Sequence, residues 1–420
     1  MKSNHNSLLD YLTYIENKSY ENKSDLSALK RSYSSLGVEQ LQSLIITVTG
    51  TNGKGSTVGL LEDIFIAQGY TVGSNTSPHL MKYNERIRYN GEAVSDEDII
   101  FAFNAIEKAY GENNSLCYSH YAFLAGLITF IRLKPEIIIL EVGLGGRLDP
   151  ANTLDADISV ITSIDLDHIE LLGNTREKIG LEKCAIGRSG KPLVISDLNI
   201  PQTVIDYCDK NNVNVKCIQS DFTYNQKGLH FIYSNQGKNQ NFILKNSTHP
   251  HSVSSVLAVL DEMPKKFIFS HSITKKIIES FFISGRKHIM QSNPYVIVDV
   301  GHNLKAVKSL FEFVATQIKR SARINVIFSA MNNKDINGII KCADKQINHW
   351  NIVSFNHIVE RGASLNQLKL SFENKTNVTY HQSIPDSYQE AKKSLRKDDC
   401  LVVFGSFILV GEILGLVNGS

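Results

Sequence analysis

Ile46–Thr57 reads ITVTGTNGKGST, and this stretch decides the fold. An apolar, β-rich run, Leu44 to Val48, feeds a loop that holds Gly50, Gly53, Lys54 and Gly55. A helical pattern follows at once, Thr57 to Gln68, and stops at Gly69. Strand, glycine loop with a lysine, then helix is the architecture of a phosphate cradle. Glycines let backbone N–H groups turn inward, and the helix N-terminus adds partial positive charge. Lys54 has the reach for terminal phosphates, and Ser56 or Thr57 offers a hydroxyl to Mg²⁺. The expectation is a protein that handles a nucleoside triphosphate. The spacing departs from Gly-x-x-x-x-Gly-Lys-Ser/Thr: the first glycine of that pattern falls on Val48, and Gly55 separates Lys54 from the hydroxyls. A solvated lysine in a glycine-rich turn is the plainer alternative, and the strand and helix on either side speak against it.

Moving outward, 420 residues exceed one ordinary domain, so two domains are expected. Hydrophobic residues at 42% and charged residues at 20% describe a globular chain with ample core. A formal net charge of +2 argues against a nucleic-acid binder driven by bulk charge. The six cysteines, Cys117, Cys184, Cys208, Cys217, Cys342 and Cys400, show no CxxC and no metal-ligand spacing, as expected of reduced thiols in a cytoplasmic protein. The N-terminus, MKSNHNSLLDYLTYIE, lacks the apolar core of a signal peptide. The longest apolar stretch, Leu401–Val417, is broken by Gly405, Ser406, Gly411 and Glu412 and reads as strand plus helix, not a membrane span.

Short apolar runs alternate with helical patterns, which predicts a parallel sheet flanked by helices. Strands are expected at Leu44–Thr49, Glu136–Val142, Asp157–Thr162, Pro192–Ile195 and Val213–Ile218. Ser95 with Asp98 is a capping-box signal for a helix to Tyr110. Lys227–Leu244 alternates like a hairpin, with GKNQ as its turn, and reads as a small antiparallel insert. The pattern then restarts with strands at Tyr295–Val300, Arg323–Phe328, Ile352–Asn356 and Leu401–Phe404. Helices are expected at Asn303–Lys319, Asp335–Asp344, Ser387–Leu395 and Ser406–Leu416. The fold class is therefore α/β: an N-terminal P-loop-type domain over 1–284 and a smaller Rossmann-like domain over 291–420. A linker at 285–290 joins them, inside the stretch Ser284–Pro294. A mildly polar stretch covers Glu16–Asp25, and there is no internal repeat.

Ligand sites in open α/β sheets lie beyond the carboxyl ends of strands. Glu141 stands there, before GLGGRLD, placed for Mg²⁺; the plainer alternative is a cap or a pair with Arg147. His168 closes TSIDLDH beyond the next strand, a candidate metal ligand. Lys183 lies on the helical stretch Arg176–Gly187. Beside a dication, and if buried enough to be a neutral amine, it can take up CO₂ as a carbamate. Asp299, Gly301, His302 and Asn303 follow the strand YVIVD, where a carboxylate and an imidazole suit ribose or phosphates. Arg286 follows Gly285 in the linker, with a guanidinium for phosphate oxygens.

These residues resemble the folylpolyglutamate synthase/dihydrofolate synthase family, bacterial bifunctional type, of the Mur-ligase superfamily. The resemblance spans nearly the whole chain and rests on TGTNGKGST (49–57), SPHLMKYNERIR (77–88), LEVGLGGRLDPAN (140–152), TSIDLDHIELLG (162–173), EKCAIGRSGKP (182–192), SGR (284–286), DVGHN (299–303), NKD (333–335) and GSF (405–407). LLDYLTYIE (8–16) and DLSALKR (25–31) are similar to the bifunctional type. The resemblance implies an ATP-dependent amide ligase. It activates a carboxylate of dihydropteroate or a reduced folate as an acyl phosphate, which the amine of L-glutamate attacks inside a closing two-domain cleft.

Carried over by position, Thr51, Asn52, Gly53, Lys54, Gly55, Ser56, Thr57, Arg286, Asp299 and His302 bind ATP. Ser56 and Glu141 hold one Mg²⁺, while His168 and a carbamylated Lys183 serve a second. Lys54, His168 and Lys183 are the catalytic set, and Ser77, Pro78, His79 and Asp149 contact the folate or pterin. A monovalent cation completes the cofactors. The implied partners are small molecules, with no nucleic acid and no membrane, around a monomer. The chain departs from the family at Leu116–His120, where an aromatic residue and a carboxylate give way to Ser119 and His120. It departs again at Ser252–Ser254 and Gly301–Leu304. Alternatives are a synthase that only extends glutamate chains, a Mur-type ligase acting on a peptidoglycan precursor, and a nucleotide-binding relative without catalysis.

Overall fold

The computed structural model describes residues 7–18, 26–111, 114–244 and 248–418. The polar stretch expected at Glu16–Asp25 lies outside the described residues from position 19 onward. The chain forms two compact units: Met1–His79 with Tyr83–Phe281, and Leu80–Lys82 with Phe282–Ser420.

The first unit is built on eight strands: β1 (Leu44–Thr49), β2 (Val72–Asn75), β3 (Ile87–Tyr89), β4 (Glu92–Ala93), β5 (Ile137–Glu141), β6 (Ile158–Ile161), β7 (Pro192–Ile195) and β8 (Asn214–Cys217). Their order is β4-β3-β2-β5-β1-β6-β7-β8. The six strands from β2 to β8 pair in parallel, while β3 and β4 add an antiparallel edge. β1 sits between β5 and β6, and five of its six residues are buried, as a central parallel strand covered on both faces requires. Its register sets Val48 beside Glu141 and Thr49 beside Ile161. The carboxyl ends of β1, β5 and β6 therefore lie next to one another.

Helix Tyr118–Leu133 is apolar almost all round and buries Tyr121, Phe123, Leu124, Leu127 and Phe130 in the main core. Ser95 caps the helix Asp96–Tyr110 through a complete capping box with Asp98, at the predicted bounds. The insert differs from the single hairpin expected over Lys227–Leu244. It has three antiparallel strands, β9 (Phe222–Lys227), β10 (His230–Asn235) and β11 (Lys238–Ile243). The second turn is Gln236–Gly237, both at positive φ as a tight hairpin demands, and Lys238–Gln240 belong to β11.

The second unit carries β12 (His288–Ser292), β13 (Tyr295–Asp299), β14 (Ile324–Phe328), β15 (His349–Val353), β16 (Val378–His381) and β17 (Cys400–Phe404), ordered β12-β13-β17-β14-β15-β16. All neighbours pair in parallel except β12 with β13. The stretch Ser284–Pro294 was expected as linker, but it contains β12, a half-buried edge strand. The strand expected at Ile352–Asn356 begins instead at His349, because Trp350 and Ile352 both enter the core on one face. No helix among the described residues is long and apolar enough to cross a membrane.

Candidate active site

The glycine loop is fastened to the loop beyond β6. Thr51 N donates to Ser163 O (2.9 Å) and Asn52 N to Ser163 Oγ (3.0 Å). In return Thr162 Oγ1 donates to Asn52 O (2.6 Å), and Asp165 N to Thr51 Oγ1 (3.0 Å). Gly50 is held so close that a Cβ there would lie 1.9 Å from Thr162 Oγ1. Gly53 has φ 92 and is the N-cap of the helix Lys54–Ala67, which starts three residues earlier than its apolar pattern. Lys54 thus occupies the first helical position, and its Nζ donates to Gly50 O (2.9 Å), which keeps the charge over the loop. Thr57 Oγ1 is buried and, among the described residues, has no hydrogen-bond partner.

Glu141 ends β5 and is 9% exposed. Its Oε2 accepts from Ser77 N (3.2 Å) and lies 3.9 Å from where a Cβ on Gly55 would be, so the carboxylate faces the first turn of the Lys54 helix. Arg147 is not its partner: Arg147 pairs with Glu182, Nη2 to Oε1 2.9 Å. Asp149 is spent on the Gly-rich turn. Its Oδ2 accepts from Gly143 N (3.0 Å) and Leu144 N (3.1 Å), and its Oδ1 from Ala151 N (2.9 Å). Burial raises its pKa, against the pull of those amides and of Lys54.

His168 sits in the left-handed region (φ 49) before the short helix Ile169–Leu172, with Nε2 4.0 Å from Asp167 Oδ1. Lys183, on the helix Arg176–Cys184, is 3% exposed. Burial lowers its pKa to about 7, and the Lys54 charge adds to the shift; Asp167, Asp149 and Glu182 oppose it. The lysine is therefore a substantially neutral amine near neutral pH. Gly146 lets the turn after β5 lie against this helix, since a Cβ there would come 2.6 Å from Glu182 O.

Beyond β2, His79 Nδ1 lies 2.9 Å from Arg86 Nε. At the N-terminus of the helix Tyr118–Leu133, Cys117 Sγ and Ser119 Oγ are 3.1 Å apart, and Cys117 N donates to His120 Nδ1 (3.4 Å). Burial pushes the Cys117 thiol up, but hydrogen bonds from His120 and Ser119 outweigh it and bring the pKa down to about 6.

In the second unit, Asp299 ends β13 and is buried. Its Oδ2 accepts from Lys287 N (2.7 Å) and its Oδ1 from Gly301 N (2.6 Å), which ties Arg286 and His302 to the same strand end. His302 Nδ1 donates to Val300 O (2.9 Å), which leaves Nε2 as the acceptor of the neutral ring. The Arg286 guanidinium stacks on Phe407, 5.1 Å from the ring centroid.

Within the first unit the structure thus brings together the glycine loop, Glu141 and Asp149, with Lys183 in the field of Lys54 and Asp149. Sequence reasoning overlooked two supports: Asp197, whose Oδ2 accepts from Ile164 N (2.7 Å) in the loop that leads to His168, and Arg86, although Arg86 stands inside the quoted SPHLMKYNERIR. Among the described residues no three His, Cys, Asp or Glu side chains form a metal cluster. One carboxylate facing a phosphate-type loop, with an orphaned hydroxyl on the helix it opens, fits Mg²⁺ held largely by substrate phosphates and water.

The Mur ligase middle domain matches residues 48–257, and the Mur ligase glutamate ligase domain matches 285–407. The chain is 36% identical over 409 residues to the dihydrofolate synthase/folylpolyglutamate synthase of Buchnera aphidicola (subspecies Schizaphis graminum), covering 97% of this chain and 96% of that one. It is similar to E. coli FolC in complex with DHPP and ADP, with TM-score 0.90, 30% identity and coverage of 99% and 98%. It is also similar to a bifunctional folylpolyglutamate synthase/dihydrofolate synthase with Mn, AMPPNP and L-glutamate bound, with TM-score 0.91, 29% identity and coverage of 99% and 98%.

Proposed function

The chain belongs to the Mur ligase family, in its dihydrofolate synthase/folylpolyglutamate synthase branch, and we propose that Lys54, Glu141, His168 and Lys183 carry that family's chemistry here. The protein is an ATP-dependent amide ligase. It adds L-glutamate to dihydropteroate, forming dihydrofolate, and to folates, forming polyglutamates. A carboxylate oxygen of the acceptor attacks the γ-phosphorus of ATP, and ADP leaves. The glutamate amine then attacks the acyl carbon, loses a proton, and phosphate leaves. A divalent cation, when bound, offsets the repulsion between the anionic carboxylate and the triphosphate.

In this reading residues Thr51 to Thr57 wrap the phosphates, with Lys54 Nζ exchanging the Gly50 carbonyl for phosphate oxygens. Ser56 and Glu141 would hold one Mg²⁺, and His168 with a carbamylated Lys183 a second. Arg286, Asp299 and His302 contact the nucleotide, while Ser77, Pro78, His79 and Asp149 contact the pteroyl group. The observation that supports the reading is Glu141 facing the first turn of the Lys54 helix, with a buried Lys183 in the field of Lys54 and about half neutral at neutral pH. A neutral amine is what CO₂ needs: the nitrogen lone pair forms the N–C bond and one N–H proton departs. The working enzyme is read as a cytoplasmic monomer on small-molecule substrates.

A second reading, glutamate extension without dihydropteroate activity, rests on Ser119, whose hydroxyl stands 3.1 Å from Cys117 Sγ where the family has an aromatic ring. The test is ADP release with ATP, Mg²⁺ and L-glutamate, run with dihydropteroate and separately with a reduced folate. Turnover with both is expected. Turnover with the folate alone selects the second reading, and silence with both sinks both.

A further inference from the structure

Among the described residues His79 has one hydrogen-bond partner, and its ring also lies 6.0 Å from that of Tyr83. Arg86 Nε lies 2.9 Å from His79 Nδ1, and a guanidinium can only donate, so Nδ1 must accept with its lone pair. The neutral ring then carries its proton on Nε2, and among the described residues no group accepts that proton. Arg86 is itself clamped: its guanidinium lies 5.4 Å from the ring centroids of both Tyr83 and Tyr118, and those two rings meet edge to face at 6.1 Å. The turn that carries it is closed by Thr76 N to Arg86 O (2.8 Å). Protonating His79 would set an N–H against an N–H and a second cation beside the first. Burial and Arg86 bring its pKa down to about 4, against the opposing charge of Glu85. Among the described residues, Arg86, Glu85, Tyr83 and Tyr118 are the charged and titratable groups that surround the His79 ring.

We infer that Arg86 is a positioning residue that holds His79 as a neutral imidazole with its single proton on Nε2, a fixed donor to an uncharged acceptor atom of the pteroyl group. The inference rests on the reading of His79 as a pteroyl contact and deepens it. A neutral donor adds direction without charge, so it aligns the acceptor while leaving the reacting carboxylate to attack phosphorus.

The test is long-range proton–nitrogen NMR on the ¹⁵N-labelled full chain, with His79 assigned from the His79→Gln spectrum. The expected signature is an unprotonated Nδ1 and a protonated Nε2, unchanged from about pH 8 to about pH 5. An Nδ1–H tautomer, or titration near the ordinary histidine value, overturns the inference without touching the ligase assignment. In Arg86→Gln the ring should titrate in the ordinary range. The KM for the pteroyl acceptor should then rise roughly fivefold between about pH 8 and pH 6, with the KM for ATP unchanged. Arg86→Lys keeps the charge but not the planar donor and should not restore the tautomer. Should Arg86→Gln fail to fold, the wild-type spectrum decides alone. His79→Gln should raise the acceptor KM about tenfold. An unchanged KM with the expected tautomer overturns the pteroyl contact, and the donor role with it.

Discussion

Arg176 and Asp197 grip Ile164 from both sides: Arg176 Nη2 meets Asp197 Oδ1 at 2.8 Å, Arg176 Nε donates to Ile164 O (3.0 Å), and Ile164 N donates to Asp197 Oδ2 (2.7 Å). This pair therefore anchors the loop that leads from β6 to His168. The Asp197 side chain is 5% exposed and that of Arg176 33%, so the pair is only partly screened. Asp197→Ala strands the Ile164 amide and should cost about 2 kcal/mol, read as a drop of several degrees in thermal midpoint. Its kcat should fall more than its KM for ATP, because the displaced element is the His168 loop. A melt within a degree of wild type would falsify the anchoring role.

Gly50→Ala sets a methyl group 1.9 Å from Thr162 Oγ1, inside the hydrogen bonds that tie the two loops. The neighbour cannot yield without losing its bond to Asn52 O. Overpacking of this kind costs about 1–3 kcal/mol. The expected result is nucleotide affinity reduced at least about tenfold by isothermal titration, with the fold retained by circular dichroism. Wild-type affinity would show that the loop relaxes where its bonds say it is fixed.

Lys183 has a folded pKa depressed to about 7 from an ordinary lysine value of 10.5. Between those pH values the unfolded chain binds the extra proton, so stability rises with pH across the window and is lowest below about pH 7. Lys183→Met should flatten that slope in urea-denaturation midpoints measured from about pH 7 to pH 10. Lys183→Ala should be inactive and regain activity with added short carboxylates that stand in for the carbamate. Unimpaired activity of Lys183→Ala sinks the carbamate.

Asp299→Asn keeps one strong acceptor for two amides, Lys287 N and Gly301 N. One end of the clamp must loosen, and Arg286 or His302 drifts with it. The KM for ATP should rise about tenfold while the KM for glutamate holds. Equal increases in both would point to general damage in the second unit instead.

Much of the architecture could be read from local chemistry. The Ser95–Asp98 box gave a helix its true bounds, and the strand ends put Glu141 and Lys54 on one edge of the sheet because β1 and β5 pair in register. What escaped was set by tertiary context. Strand β9, FTYNQK, is mostly exposed and polar, so alternation alone did not separate it from a loop. β12 is a half-buried edge whose sequence HIMQS carries no strong period. Arg147 stands nearer in sequence to Glu141, yet its backbone and side chain both bond to Glu182, thirty-five positions away. The burial that depresses Lys183 cannot be inferred from REKIGLEKC, where it looks like any helical lysine.

Leu80–Lys82 cluster with the second unit although some two hundred residues separate them from the rest of it. A Cβ on Gly411 would strike Leu80 O at 2.0 Å, and Leu80 also packs against Gly285 and the Leu409 and Val410 core. The second unit is therefore not a continuous length of chain. A fragment cut at residue 282 would leave behind part of its own interior, and swapping C-terminal halves between relatives would graft a body onto a stranger's three residues. The interior of this unit thus depends on a tripeptide encoded far upstream.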